Sequence, residues 1–259
     1  MKRYRWLLGC CLFLSIGMLW AADEPDLRML QQKAAQSRDM EGYVGVCKYL
    51  YQTEENPELL LLYADSIHQL ATKSKKPEQL VEYYIWASEG NFIKGDFQQG
   101  YALKRKAIAL AEKAGLKFAI SQSCCDMGYY CNVDARYDSA RYYFRKGLEA
   151  GEDLSEAGEA CRTMLTNYAS SFLFEGKTDS ALVYTIRASE RSAADKDTAM
   201  LIENLNQLGT IYRRKKDLEN CIANFEQALH LCELRGNHNA VAFISVSYTH
   251  LTLPTTERV

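Results

Sequence analysis

Three features of the sequence predict an all-α fold, an α-solenoid of antiparallel helical hairpins with about twelve helices. Apolar residues recur three and four apart along most of the chain, the spacing that puts them on one face of a helix. The pattern of two such helices joined by a short polar turn returns every 40 or 41 residues. Only four prolines occur in 259 residues, and no stretch alternates apolar and polar residues as a half-buried strand would. A hairpin of this size cannot bury its apolar face alone, so the repeat predicts neighbours stacked into one elongated core.

Met1 to Ala22 differs from the rest of the chain. Lys2, Arg3 and Arg5 precede an apolar run from Trp6 to Trp20, and Ala21 and Ala22 come before the acidic Asp23 and Glu24. This predicts a secretory signal cleaved near Ala21 or Ala22, since the run is shorter than the roughly 20 residues a membrane span needs. Asp26 to Ser37 then carries Leu27, Leu30 and Ala34 on one face, and Met40 to Tyr51 carries Val44, Cys47, Leu50 and Tyr51. Pro57 suits the first turn of a helix reaching about Lys73 through Leu60, Leu61, Ala64, Ile67 and Leu70, and Pro77 opens the next. Counting back by the period makes Met40 to Lys73 the first hairpin and Asp26 to Ser37 a capping helix. Pairing the first two helices instead would leave Pro57 to Lys73 alone.

The next four hairpins align residue by residue. The first helices carry Ser88, Gly128, Ala169 and Gly209 in register, and the second helices carry Gly100, Ala140, Ala181 and Cys221. Further along the second helices come Lys104, Phe144, Thr185 and Phe225, then Ala107, Gly147, Ala188 and Ala228. A glycine inside a helix costs about 1 kcal/mol against alanine, so Gly209 predicts a close approach by its neighbour. The clearest unit is Leu205-x-x-Leu208-Gly209-x-x-Tyr212, a polar turn at Arg213 to Asp217, and Cys221-x-x-x-Phe225-x-x-Ala228-Leu229. That wording resembles the tetratricopeptide (TPR) repeat, with Leu205 in place of its usual Trp and no closing Pro. The longer period resembles TPR signalling proteins.

The pattern stops at Ser245. Val246 to Val259 is Thr-rich, contains Pro254 and has no apolar stripe; it resembles the translation of a transposon-end sequencing adaptor. The expected domains are therefore a signal at 1–22, a TPR-like repeat domain at 23–245 with its last repeat truncated, and a non-native tail at 246–259.

Between Asp23 and Ser245 the chain carries 27 basic and 32 acidic residues, a balance that does not indicate a nucleic-acid surface. The basic run Arg213 to Lys216 fills a turn between helices and reads as solvated. Glu175-Gly176-Lys177-Thr178 has the ending of a phosphate-binding loop, but Ser171 stands where its first glycine is needed. His68, His230 and His238 have no histidine or cysteine at ligand spacing, so no metal or cofactor is expected and no enzyme is indicated. Seven cysteines come after the signal, an odd number with no redox spacing. They read as buried free thiols, with Cys124 or Cys125 to Cys161 the pairing to look for if any disulfide forms. In the pairs Tyr83-Tyr84, Tyr129-Tyr130 and Tyr142-Tyr143, one ring of each is expected to face the core.

The TPR resemblance implies that first helices line a concave groove whose exposed arc contacts a protein or peptide. That arc comprises Trp86, Glu89 and Phe92, then Asp126, Tyr129 and Asn132, then Thr166, Asn167 and Ser170, then Asn206, Gln207, Thr210 and Arg213, and the groove residues proper are Trp86, Glu89, Tyr129, Asn132, Asn167, Ser170, Asn206, Thr210 and Arg213. Amides can bond a peptide backbone, and aromatics supply contact area. The signal, the long hairpins and the wording Tyr137 to Tyr143 together resemble the exported TPR sensor regions of Bacteroidetes signalling regulators. The expectation is an extracytoplasmic sensory module, periplasmic, with membrane attachment only through the signal or a missing C-terminal span. A free periplasmic scaffold and the non-catalytic part of a larger enzyme are the alternatives.

Overall fold

The computed structural model describes residues 26–53, 56–236, 241, 244 and 245. The expected signal at 1–22 and tail at 246–259 lie outside the described residues. No described residue is in a strand, and no described helix is long and apolar enough to cross a membrane. Eleven α-helices succeed one another among the described residues: α1 Leu27–Ser37, α2 Met40–Thr53, α3 Pro57–Ser74, α4 Pro77–Lys94, α5 Phe97–Ala114, α6 Lys117–Val133, α7 Tyr137–Gly151, α8 Gly158–Phe174, α9 Thr178–Ala194, α10 Thr198–Arg214 and α11 Leu218–Leu234. A 3-10 turn, Ser155–Ala157, precedes α8.

The ends of these helices are written in the sequence. Asn56 caps α3 by accepting from the Leu59 amide at 2.9 Å, and Pro57 takes the first turn, where its missing N–H costs nothing. Asp96, Asp197 and Asp217 cap α5, α10 and α11 in the same way. Each of these comes after a residue in the left-handed conformation, Gly95, Lys196 or Lys216. In each turn the amide after that residue bonds the carbonyl five residues back, as from Asp96 to Asn91 at 2.9 Å and from Asp217 to Tyr212 at 3.0 Å. The preceding helix ends and the next begins within about three residues.

The described residues divide into two compact units, one within 26–127 and 145–161, the other within 128–144 and 162–245. In the first, the core is built from Val46, Cys47 and Leu50 of α2, Leu60, Ala64 and Ile67 of α3, Val81, Ile85 and Phe92 of α4, and Ala107 and Ile108 of α5, all buried. Full burial of each large aliphatic side chain contributes about 1.5–3 kcal/mol. Here α2 packs on α1 and α3 and also touches α4 directly. That contact places α2 in the row of first helices, with α4, and makes α2–α3 the first hairpin.

In the second unit, Ile202, Leu205, Leu208, Cys221, Phe225, Ala228 and Cys232 close the α10–α11 hairpin, and Ile244 packs on it. Gly209 is explained by a ring. A Cβ added there would stand 2.8 Å from Phe225, and one at Gly128 would stand 2.4 Å from Phe144. In the α8–α9 hairpin, where the smaller Thr185 stands in place of the phenylalanine, Ala169 stands in place of the glycine, so a Cβ is present where no ring crowds it. Ala140, Ala181 and Cys221 are all fully buried.

The seven cysteines among the described residues are buried, and none forms a disulfide. Burial pushes the Cys47 and Cys124 thiols up to about 12, and the Cys125 thiol well above its ordinary value. The tyrosine pairs differ from the expectation. Only Tyr142 and Tyr143 divide into exposed and half-buried, whereas both rings of the other two pairs are half-buried and lean on each other at 5.1 and 5.3 Å.

Candidate functional site

The nine groove residues fall into three groups by burial. Trp86, Glu89, Asn132 and Ser170 are buried; Tyr129, Asn167, Asn206 and Thr210 are half-buried; Arg213 is exposed. The four buried ones are occupied within the fold.

Trp86 and Glu89 belong to the first unit. The Trp86 indole donates to Glu82 Oε2 at 2.9 Å, and its ring meets Tyr51 edge-on at 6.3 Å. Burial raises the Glu82 carboxyl, an effect that the Trp86 hydrogen bond and the charges of Lys48 and Lys104 oppose. Glu89 pairs with Lys104, which has no exposed surface, and Lys104 Nζ also donates to Asp126 Oδ2 at 2.9 Å. Burial works against the ammonium, but the charges and hydrogen bonds of Asp126 and Glu89 prevail and hold it above the ordinary lysine range. The lysine stays charged, and its two carboxylates satisfy it.

The other seven residues share the second unit, on the end of α6 and along α8 and α10. Asn132 Nδ2 donates to the Asn167 carbonyl at 3.0 Å, a bond between first helices of successive hairpins. Ser170 Oγ receives Gln207 Nε2 at 2.6 Å. Gln207 Oε1 in turn lies 2.9 Å from the Thr185 hydroxyl. Behind this strip, Thr166 donates to Asn204 Oδ1 at 2.9 Å and Asn204 Nδ2 donates to Ser192 Oγ at 3.1 Å, so three helices are joined through fully or nearly fully buried amide and hydroxyl groups. Two acceptors remain. Asn132 Oδ1 and Asn206 Oδ1 are both buried atoms with no hydrogen-bond partner. A buried carbonyl oxygen left unpaired costs roughly 1–3 kcal/mol, so two on one face mark it as unfinished.

Leu205 and Leu208, on another arc of α10, are buried, and Leu165 of α8 is half-buried. The basic turn is exposed at all four residues, as expected of a solvated turn, and it is also anchored: Arg214 Nη1 donates to the Leu173 carbonyl at 2.7 Å, and Lys215 pairs with Asp179. Glu175, in the loop with a phosphate-binding ending, is held by Arg141 at 2.7 Å and Lys177 at 2.8 Å. His230 is exposed, and no metal-holding group of His, Cys, Asp and Glu exists among the described residues.

No family model matches the sequence, and no curated protein matches it. Solved structures do. BtubC from P. vanneervenii is similar over 99% of this chain and 96% of its own, with a TM-score of 0.65 at 14% identity. The apo form of RapI is similar over 96% of this chain and 71% of its own, with a TM-score of 0.64 at 9% identity. Bacillus thuringiensis PlcR, solved in complex with the peptide PapR7 and DNA, is similar over 97% of this chain and 96% of its own, with a TM-score of 0.51 at 14% identity. The fold is a TPR-like α-solenoid of antiparallel hairpins. At these identities the likeness concerns the fold.

One residue of the TPR-like strip is missed by its sequence pattern. Glu203 lies three residues before Asn206 and seven before Thr210, on the same arc of α10, and is half-buried. Burial drives its carboxyl up to about 8, and the charge of Asp197 adds to the rise. The spacing 203, 206, 210, 213 could have found it, but a glutamate in a helix reads as solvated until its burial is known.

Proposed function

We propose that the second unit binds an extended polypeptide segment across the end of α6, α8 and α10, and that the protein is a non-enzymatic interaction module. The observation that carries this reading is the pair of buried, unpartnered acceptors, Asn132 Oδ1 and Asn206 Oδ1, on the inner arc of first helices. An extended peptide offers a backbone N–H at each residue, and such a donor would satisfy an oxygen that the fold leaves bare. Tyr129, Asn167, Thr210 and Arg213 supply the remaining accessible surface of the strip. PlcR, whose fold is similar, holds a peptide in its solved complex. We place the module outside the cytoplasm, in the periplasm, as the sensory part of a larger signalling protein. That placement rests on the charge and hydropathy of Met1 to Ala22.

Selection of random twelve-residue peptides displayed on phage, using the full chain as bait, tests the binding. Enriched peptides should lose about tenfold in affinity for Asn206→Ala, the effect of one backbone hydrogen bond to a buried acceptor, while the unfolding midpoint of the variant stays that of the parent. Failure to enrich any peptide, or equal binding by Asn206→Ala, would remove the strip as a peptide site.

A further inference from the structure

Among the described residues, Glu203 is a half-buried carboxyl with no ion pair and no hydrogen bond. The two arginines at this end of the unit are already engaged, and Lys196 of the α9–α10 turn is exposed and makes no ion pair with Glu203. Arg162 of α8 bonds Asp197 through Nε at 2.8 Å and Asp195 through Nη1 at 3.2 Å, and Arg191 of α9 bonds Asp195 at 2.9 Å. Asp197 itself caps α10, accepting from the Met200 amide at 3.1 Å. Glu203 is thus left with an acidic neighbour and no base. A carboxyl held this way destabilises the folded chain, because burial penalises its charged form and a second negative charge adds to the penalty. Such groups are rarely kept without use, and a raised carboxyl in a binding cleft marks a candidate site.

The neighbourhood along α10 says what the use is. Glu203 and Asn206 are three apart on one arc, and neither the Glu203 carboxyl nor Asn206 Oδ1 meets a donor from the fold. An acidic side chain would add to the repulsion and a neutral one could give Glu203 only an uncharged hydrogen bond; a cationic side chain would supply both a donor and the opposite charge. We infer that Glu203 is the specificity residue of the proposed groove and seats a lysine or arginine side chain of the bound segment. The bound cation gives its N–H donors to the carboxylate in a partly water-excluded site, where a charge-assisted hydrogen bond is stronger than on open surface. Asn206 bonds the backbone beside it. This inference rests on the peptide-binding reading of the strip, and it adds the chemistry of one required residue.

The test uses immobilised degenerate nine-residue peptide pools, four random positions on each side of a fixed central Lys, Arg, Gln or Glu, with cysteine omitted, and the fluorescently labelled full chain. The Lys and Arg pools should retain about tenfold more of the parent protein than the Gln and Glu pools, the worth of one charge-assisted hydrogen bond. Glu203→Gln, which keeps the side-chain shape, should bind all four pools alike, while Asn206→Ala should weaken binding to every pool and keep their order. If the parent bound all four pools equally, or Glu203→Gln kept the basic preference, the inference would fall and the peptide-binding reading would stand. If the parent bound none of the pools, both would fall.

Discussion

A lysine with no exposed surface occupies position 104, the register position filled by phenylalanine in the hairpins that contain Phe144 and Phe225. The exchange works because its ammonium meets Glu89 from α4 and Asp126 from α6. A buried ion pair adds little net stability over a packed hydrocarbon, but removing one member strands the other. Lys104→Met should therefore lower the unfolding free energy by about 3–5 kcal/mol, and adding Glu89→Gln should restore part of the loss. Urea unfolding followed by circular dichroism measures both, and a Lys104→Met variant as stable as the parent would show that Glu89 finds another partner. The repeat pattern by itself aligns Lys104 with Phe144, Thr185 and Phe225. It does not show that a lysine at a core position keeps its charge, because that depends on two carboxylates 15 residues before it and 22 after. Glu89 reads from sequence as an open groove residue for the same reason, and the structure corrects it.

The hairpin is the element at which sequence and structure agree most closely. Helix starts at Pro57 and Pro77, turns at Gly95 and Gly176, and small residues at Ala140, Ala181 and Cys221 can all be read directly, since each depends on local backbone chemistry or on a fixed offset within one helix pair. The identity of the group behind each small residue cannot. Gly209 suggests the approach of a helix, and the group it admits is the Phe225 ring. Gly209→Ala should raise intrinsic helix propensity yet destabilise the α10–α11 hairpin by about 1–3 kcal/mol, since the new methyl would overlap that ring. Thermal unfolding of the variant checks the sign. A gain in midpoint would mean that the ring can retreat and that helix propensity decides. On the first helices the same limit applies: Asn132 and Ser170 lie on the expected arc, but their bonds to Asn167 and Gln207 on neighbouring helices bury them.

At the scale of the whole molecule, hairpins related by 81 residues are more alike than adjacent ones. Glu89, Lys104 and Asp126 form a charged junction, and Ser170, Thr185 and Gln207, each 81 residues further on, form a neutral one, through Thr185 to Gln207 and Gln207 to Ser170. Between them stands Phe144 against Gly128, and after them Phe225 against Gly209. Ser88 and Ala169 accompany the polar junctions where the aromatic ones need glycine. This alternation gives the chain a grammar for shortening. Joining Gly95 directly to Lys177 removes 81 residues and brings Ser88 opposite Thr185, a small residue against a small one. Joining Gly95 to Arg136 removes only 40 and brings Ser88 opposite Phe144, whose ring has room for no side chain at that height. Repeat arrays lose stability with each interface removed, so length alone favours the milder cut. We expect the reverse order in a thermal melt, the chain that lost two hairpins unfolding at the higher temperature, because a spliced text stays legible only when whole phrases are taken out.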